Sequence, residues 1–440
     1  MRMKFYKLSQ LLLVSAASLL VAGLITACGT LTVDFVYVTS SLAAGPNNYG
    51  EVDVFEINSE SGYMRQIPTS PFPSGGRDPV AEAVSSDSNN LFVVNQDDNT
   101  IVQFVIGNDG KLYPQNTVNT PGVFPLAIAR NGSNLFVLDT FQPLPTCSPA
   151  EPCSGSIAVY PLTAGGPASS DPCPATVCLG SPAGNTTIDA TYWPITMPGK
   201  PSDVVEPTAI TVLQSGAYLY VAAYDATAGA NFIFGFSVGS GGVLNPLNGG
   251  APLGGTLVGG AIAVENCPST YHNAPFVTGT CPSAIASDPS SAYVYVTDVA
   301  NGKVLGYTVD STTGLLTPLA GNPFLAGDQP SAIVVDPIYP FVYVANSLDS
   351  TVTAYSMNSG ALTSLGTYGT GLQPVAIGID PSTNHFLYTA NFLGNTVSGT
   401  LSGFQLSPTA GTLINSQGTP YVSNAQPTAV AAITHGSPKK

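Results

Sequence analysis

The sequence predicts an all-β protein: a seven-bladed β-propeller of four-stranded antiparallel blades, its ring closed by a C-terminal strand that pairs with the N-terminal blade. Three observations predict it. Charged residues make up only 8% of the 440 residues while Gly (46) and Pro (38) are abundant, which suits short strands and turns rather than long amphipathic helices. A strand pattern built on one aromatic anchor recurs seven times. The two ends of the chain carry complementary parts of one such unit.

The clearest unit runs from Pro330 to Thr363. Pro330-Ser-Ala-Ile-Val-Val-Asp-Pro leads into Phe341-Val-Tyr-Val-Ala-Asn346, then Thr351-Val-Thr-Ala-Tyr355, then Gly360-Ala-Leu-Thr. These read as four strands with turns between them. The first is an unbroken apolar run, as for a strand buried on both faces, and the third alternates, as for a strand wet on one side. The second-strand anchor recurs as Tyr37, Phe92, Phe136, Tyr220, Tyr295, Tyr343 and Tyr388. The Pro-x-Ala opening of the first strand recurs at Pro79, Pro125, Pro207, Pro282, Pro330, Pro374 and Pro427. The two series are offset: the chain's first unit starts at a second strand, Phe35 to Val38, and a lone first strand, Pro427 to Ile433, is left at the end. Pairing the two closes the ring and removes the exposed edge of an open array.

Ahead of the propeller, Arg2, Lys4 and Lys7 precede an apolar run from Leu11 to Ala27, the order of a secretory signal. The run ends Ile25-Thr26-Ala27-Cys28, which resembles a bacterial lipobox and implies acylation of Cys28 after cleavage. The expected organisation is therefore a signal peptide over 1–27, a lipid-anchored tether over 28–33, the propeller over 34–434 and a tail over 435–440. The expected location is the cell envelope, at the outer membrane in a Gram-negative host. Membrane contact comes through the lipid on Cys28, because 26 acidic residues against 11 basic ones give a net charge of −15. That charge also excludes nucleic acid as a partner. The six other cysteines suit an oxidising compartment, and the cheapest pairing is local: Cys147/Cys153, Cys173/Cys178 and Cys267/Cys281. Cys173 and Cys178 lack a second ligand pair at zinc spacing, and no metal site is expected.

The repeat stretches in one region. Anchors are 84 and 75 residues apart across Phe136, Tyr220 and Tyr295, against 44 to 55 elsewhere. Insertions are expected over 140–155, 163–206 and 247–281, the first and last emerging on the same face as disulfide-stapled loops. Departures from a repeat are where function concentrates. Tyr192, Trp193, Tyr271, His272 and Phe276 in these segments suit binding of a sugar or peptide, or pack the insertions against the body. Residues just before the Pro-x-Ala openings should ring the mouth of the central channel, among them Asp78, Phe124, Glu206, Cys281, Gln329, Gln373 and Gln426. Glu82 stands in the slot that Ile333 fills in blade six, either solvated in the channel or part of a cation or ligand site. Calcium in the channel is the one ion considered, and no other cofactor is expected; Asp97-Asp98-Asn99 lacks the glycine and terminal Glu of a calcium loop.

The motif seen as Tyr295-Val-Thr-Asp298 and Tyr343-Val-Ala-Asn346 resembles the YVTN-type propeller repeat and the wider seven-bladed lactonase-like family, over roughly residues 34 to 434. Phosphogluconolactonase-like propellers carry Gly-Pro-Arg-His at a first-strand opening and Asn-Glu after a second strand. Here every opening is Pro-x-Ala, and the residues after the polar cap are Gln96, Thr140, Val299, Ser347 and Phe392. Without those motifs, the sequence favours a non-catalytic envelope scaffold that binds a glycan, peptide or protein on the lidded face. The alternative is a lactonase-like hydrolase acting on a sugar lactone at the channel mouth, with Glu82, Glu206, Arg77 and Asp78 as its candidate catalytic groups.

Overall fold

In the computed structural model the described residues are 33–41, 49–148, 151–165, 177–253, 282–381, 386–394 and 399–433. They form seven antiparallel sheets of four or five strands, the fifth strand arising where the outermost strand is broken in two. The innermost strands are Gln426–Ile433 in blade 1, Pro79–Val84 in blade 2, Val123–Arg130 in blade 3 and Val205–Val212 in blade 4. Ile285–Ser287, Pro330–Val335 and Leu372–Ile379 follow in blades 5 to 7. Each packs against the next around the whole ring.

Closure is as the offset ends required. Val33–Ser41 pairs with Tyr49–Asn58 on one side and with Gln426–Ile433 on the other, from Phe35 opposite Ile433 to Ser41 opposite Gln426, with one register shift between Thr39 and Ser40. The fit rests on apolar alternation: Val36, Val38 and Tyr37 of the entering strand are fully buried between blades.

Two recurring motifs have a physical cause. At Pro79, Pro207, Pro330 and Pro374 the ladder shifts by one residue between the proline and the alanine, so Pro-x-Ala is a β-bulge. Proline tolerates this place because it has no N–H to leave unpaired. In three blades the x residue is a hydroxyl that ties one blade to the next, whereas Thr208 bonds to Ala222 within its own blade. Ser283 donates to the Pro330 carbonyl (2.5 Å), Ser331 to that of Pro374 (2.6 Å) and Thr428 to that of Pro79 (2.7 Å).

The aromatic anchors are all fully buried. Four of their phenols reach a turn of the following blade: Tyr37 donates to the Gly110 carbonyl, Tyr220 to Gly314, Tyr295 to Gly360 and Tyr343 to Gly411, at 2.7 to 3.2 Å. Gly360 has a φ of 84° and a Cβ there would stand 2.5 Å from the Tyr293 ring. Only glycine fits that turn.

Candidate functional site

Second-to-third hairpins and fourth-to-first crossings emerge on one end of the ring, the loop face, and the channel mouth opens there. The mouth residues share a backbone signature: Asp78, Phe124, Gln329 and Gln373 all adopt left-handed conformations, with φ of 50° to 56°. Four non-glycine residues in that region, at one register of one ring, mark a strained rim of the kind found at functional sites. Carbonyls of this rim are tied to the adjacent second strand, Gln96 donating to Asp78, Ser347 to Gln329 and the Thr140 hydroxyl to Phe124. The rim is two-sided. Asp78 and Glu206 stand in blades 2 and 4, with Phe124 between them packed edge-to-face on buried Phe141; Gln329, Gln373 and Gln426 occupy blades 6, 7 and 1.

Asp78 lies at the seam where the ring closes. Burial raises its carboxyl to about 6, with repulsion from Asp97 adding and a hydrogen bond from the Ser41 hydroxyl opposing. Ser41 is the strand partner of Gln426, so a carboxylate, a hydroxyl and an amide of the rim come together here. Next along this seam Glu51 is raised to about 7 by burial and by Asp53. Asp53 itself is held by Gln66, Ser423 and Asn424.

The other candidate groups are placed differently. Glu82 stands opposite Val93 as Ile333 stands opposite Val344, so the repeat slot is as read. Its side chain turns into the blade 1–blade 2 seam, not into solvent. Oε2 accepts from the Thr39 hydroxyl at 2.6 Å, and Oε1 is wholly buried near the Ala431 N–H. Burial raises this carboxyl to about 8 against both hydrogen bonds, so at neutral pH it is a carboxylic acid. Solvation by channel water, one of the two expectations for Glu82, is therefore corrected: the slot is aliphatic in other blades because it faces a neighbouring blade. Arg77 is committed to Asp98, with its backbone N–H and Nε each 2.7 Å from the carboxylate and Nη2 at 2.6 Å. Glu206 is buried opposite Tyr224, whose phenol is pushed up by burial and by this carboxylate.

Trp193 pairs with Ile157 and is buried in the core between blades 3 and 4 with Phe136, Ile195 and Phe234. Its ring fills the sheet and does not line a binding face. Tyr192 beside it is half-buried, and its carbonyl accepts from Asn185. Tyr271, His272, Phe276, Cys267, Cys281, Cys173 and Cys28 lie outside the described residues. Cys147 and Cys153 form a disulfide with 5.5 Å between Cα atoms, and Cys178 is also disulfide-bonded. The stapled loop is anchored to blade 4: Ser154 donates to the Asp203 carbonyl and accepts from the Val205 N–H. Among the described residues no three His, Cys, Asp or Glu side chains are grouped to hold a metal ion.

One group was missed at the sequence level. Asp139 occupies the cap position filled by Asn95, Asn346 and Asn391, and is fully buried. In two siblings the amide is well held: Asn346 accepts from the Gly327 N–H and donates to Thr351 and Thr353, and Asn391 donates to Thr400 and Ser402, while Asn95 donates to Thr100 and leaves its Oδ1 without a partner. Asp139 Oδ1 and Oδ2, and the Oγ of its strand partner Ser156, have no well-formed partner. Burial lifts Asp139 to about 8, the Thr120 hydroxyl and the Gly122 N–H offsetting only part of that rise. Aligning the seven caps carried this signal.

A closed seven-bladed propeller with a polar, strained mouth is thus the class of protein. Residues 278–431, from the approach to blade 5 through most of the closing strand, match the family described as lactonase, 7-bladed beta-propeller. Over these residues the chain is similar to that family. Among solved structures it is similar to a putative 6-phosphogluconolactonase of Bacteroides fragilis, at 18% identity and a TM-score of 0.61 over 92% of this chain and 98% of that one. A periplasmic gluconolactonase of Pseudomonas aeruginosa gives 16% and 0.59 over 92% and 100%. A hypothetical selenium-binding protein of Sulfolobus tokodaii gives 10% and 0.58 over 91% and 94%, so likeness at this level carries the fold alone. No curated protein matches.

Proposed function

We propose that the protein hydrolyses a sugar lactone at the channel mouth. The reading rests chiefly on Asp78, a rim carboxylate in a strained backbone whose pKa of about 6 leaves it ionised, and still basic, at neutral pH. In this reading Asp78 takes a proton from the water that attacks the carbonyl carbon and returns it to the ring oxygen as the acyl C–O bond breaks, opening the lactone to the hydroxy acid. Gln426, Gln373 and Gln329 stand at the same register of the rim in blades 1, 7 and 6, and in this reading their carboxamides offer N–H donors to the carbonyl oxygen as it gains charge. The hydroxyl of Ser41 holds Asp78 in place. The lactonase family match over residues 278–431 supports this over the non-catalytic scaffold, which lost Trp193 to the core.

With Cys28 acylated, the site works at the cell envelope. Val33 opens its strand opposite Asn58, at the face away from the mouth, so a lipid a few residues upstream leaves the mouth pointing away from the bilayer.

The test is turnover of sugar lactones by the leaderless protein and its Asp78→Asn variant. Because the base works ionised, kcat/KM should rise with pH through about 6 and level off above it. The variant should lose roughly 100-fold or more, in the range of a general base. Equal activity of Asp78→Asn and the parent protein would defeat the assignment.

A further inference from the structure

A phosphorylated ligand is held best by a fixed cation, and every Lys and Arg of the propeller lies among the described residues. Between residues 34 and 433 the sequence holds six Lys and Arg residues. Four are paired: Arg65 with Glu56, Arg77 with Asp98, Lys111 with Asp109 and Lys200 with Asp203. Arg130 ends the innermost strand of blade 3, at the end of the channel away from the mouth, and faces Asp87. Lys303 opens the third strand of blade 5, on the loop face but two strands out from the channel. The rim instead presents Asp78 and Glu206, which repel a dianion.

Over blades 6 and 7 the rim is also apolar. Leu348 is 63% exposed in a hairpin whose backbone bonds to Asp328 and Gln329. Leu372, 57% exposed, directly precedes Gln373, and its strand partner Leu393 is exposed beside it. Three leucines thus stand in water next to two rim amides.

Resting on the hydrolase reading above, we propose that the mouth takes uncharged lactones carrying an aliphatic substituent, which lies along Leu348, Leu372 and Leu393, and turns away phosphorylated sugar lactones. A methylene passing from water onto this half-open rim is worth a roughly twofold gain, about half the logarithmic effect of full burial.

Two measurements test it on the leaderless protein. The first is kcat/KM for gluconolactone, 6-phosphogluconolactone, δ-valerolactone and δ-decalactone. The second is calorimetric binding of the matching unreactive lactams, δ-valerolactam and its pentyl derivative. Expected are at least a tenfold preference for the alkyl over the parent ring in both series, and at least a tenfold handicap for the phosphorylated sugar lactone. Leu348→Ser with Leu372→Ser should flatten the chain-length dependence. Preference for the phosphorylated lactone, or equal affinity for both lactams, would overturn the proposal. No turnover of any lactone would defeat the hydrolase reading alone, and the lactam pair would still decide the ligand class.

Discussion

Replacing Asp139 by Asn should stabilise the protein, and the gain should grow with pH. The carboxyl has an ordinary value of 3.8 and stands at about 8 in the fold, because it is fully buried with no cation or full set of donors around it. The unfolded chain therefore loses this proton near pH 4 while the folded chain keeps it to about pH 8. Stability that is complete below pH 4 drains away between those values at about 1.4 kcal/mol per pH unit. At pH 7 the accumulated cost is ~4 kcal/mol, and at pH 4.5 it is ~1 kcal/mol. Asparagine carries no such term. It also supplies the N–H donors that Asn346 and Asn391 use, here aimed at the stranded Ser156 hydroxyl.

Urea unfolding of parent and Asp139→Asn proteins across pH 4.5 to 8 reads the difference directly. The variant should lead by ~1 kcal/mol at the acid end, by ~4 kcal/mol at pH 7 and by ~5 kcal/mol at pH 8. In a thermal scan at pH 7 that is a rise of about 4 to 5 °C, given roughly 0.8 kcal/mol per kelvin of unfolding entropy for a ring of this size. The mirror substitution Asn346→Asp should lose stability with the same pH profile. A difference between parent and Asp139→Asn that is flat with pH, or a less stable Asn variant at pH 7, would refute the reasoning.

Other substitutions probe the seam and the staples. Glu82→Gln keeps a neutral acceptor beside Thr39 and removes a carboxyl raised to about 8, so the unfolding free energy from urea titration at pH 7 should rise by ~1 to 3 kcal/mol and the gain should vanish below pH 4.5. Thr428→Val removes a hydroxyl whose oxygen lies 3.0 Å from the Thr39 carbonyl and 2.7 Å from that of Pro79, and should cost ~1 to 2 kcal/mol, against ~1 kcal/mol for Ser331→Ala, in the same denaturation assay. Gly360→Ala forces a side chain into a left-handed turn against Tyr293, and a loss above ~2 kcal/mol by thermal unfolding is expected.

The ring was legible because burial writes itself with a period. Seven aromatic anchors at zero exposure need seven equivalent neighbours, and a chain whose ends hold complementary strands has one way to cover both edges. Pro-x-Ala was visible as a recurrence but not as a device, since Ser283 and Ser331 find their partners 47 and 43 residues away, in the next blade. Trp193 shows the opposite limit: an aromatic in an insertion has the same letter whether it fills a sheet or lines a cleft, and only its pairing with Ile157 decides. Glu82 could have been read better. Its equivalents are Ile210, Ile333 and Ile377, and a slot that is aliphatic in other blades faces protein, so a carboxyl placed there is buried rather than hydrated.

The mouth and the closure share residues, which couples binding to the integrity of the ring. Asp78 belongs to blade 2, Ser41 to the chain's first strand and Gln426 to its last, and they meet at one point of the rim. Just beyond them, Glu82 bridges the same two terminal strands through Thr39 and the Ala431 N–H. A molecule seated on Asp78 and Gln426 therefore holds both ends of the chain, and its binding energy adds to closure because the opened ring has no such site. The carboxyls at this seam are all raised by burial, so protonation stabilises the closed ring by removing buried charge, as ligand binding stabilises it by mass action. Ligand and acid should consequently protect the same strands, Val33–Ser41 and Gln426–Ile433, from amide exchange, while the outer strands of blades 5 and 6 respond to neither.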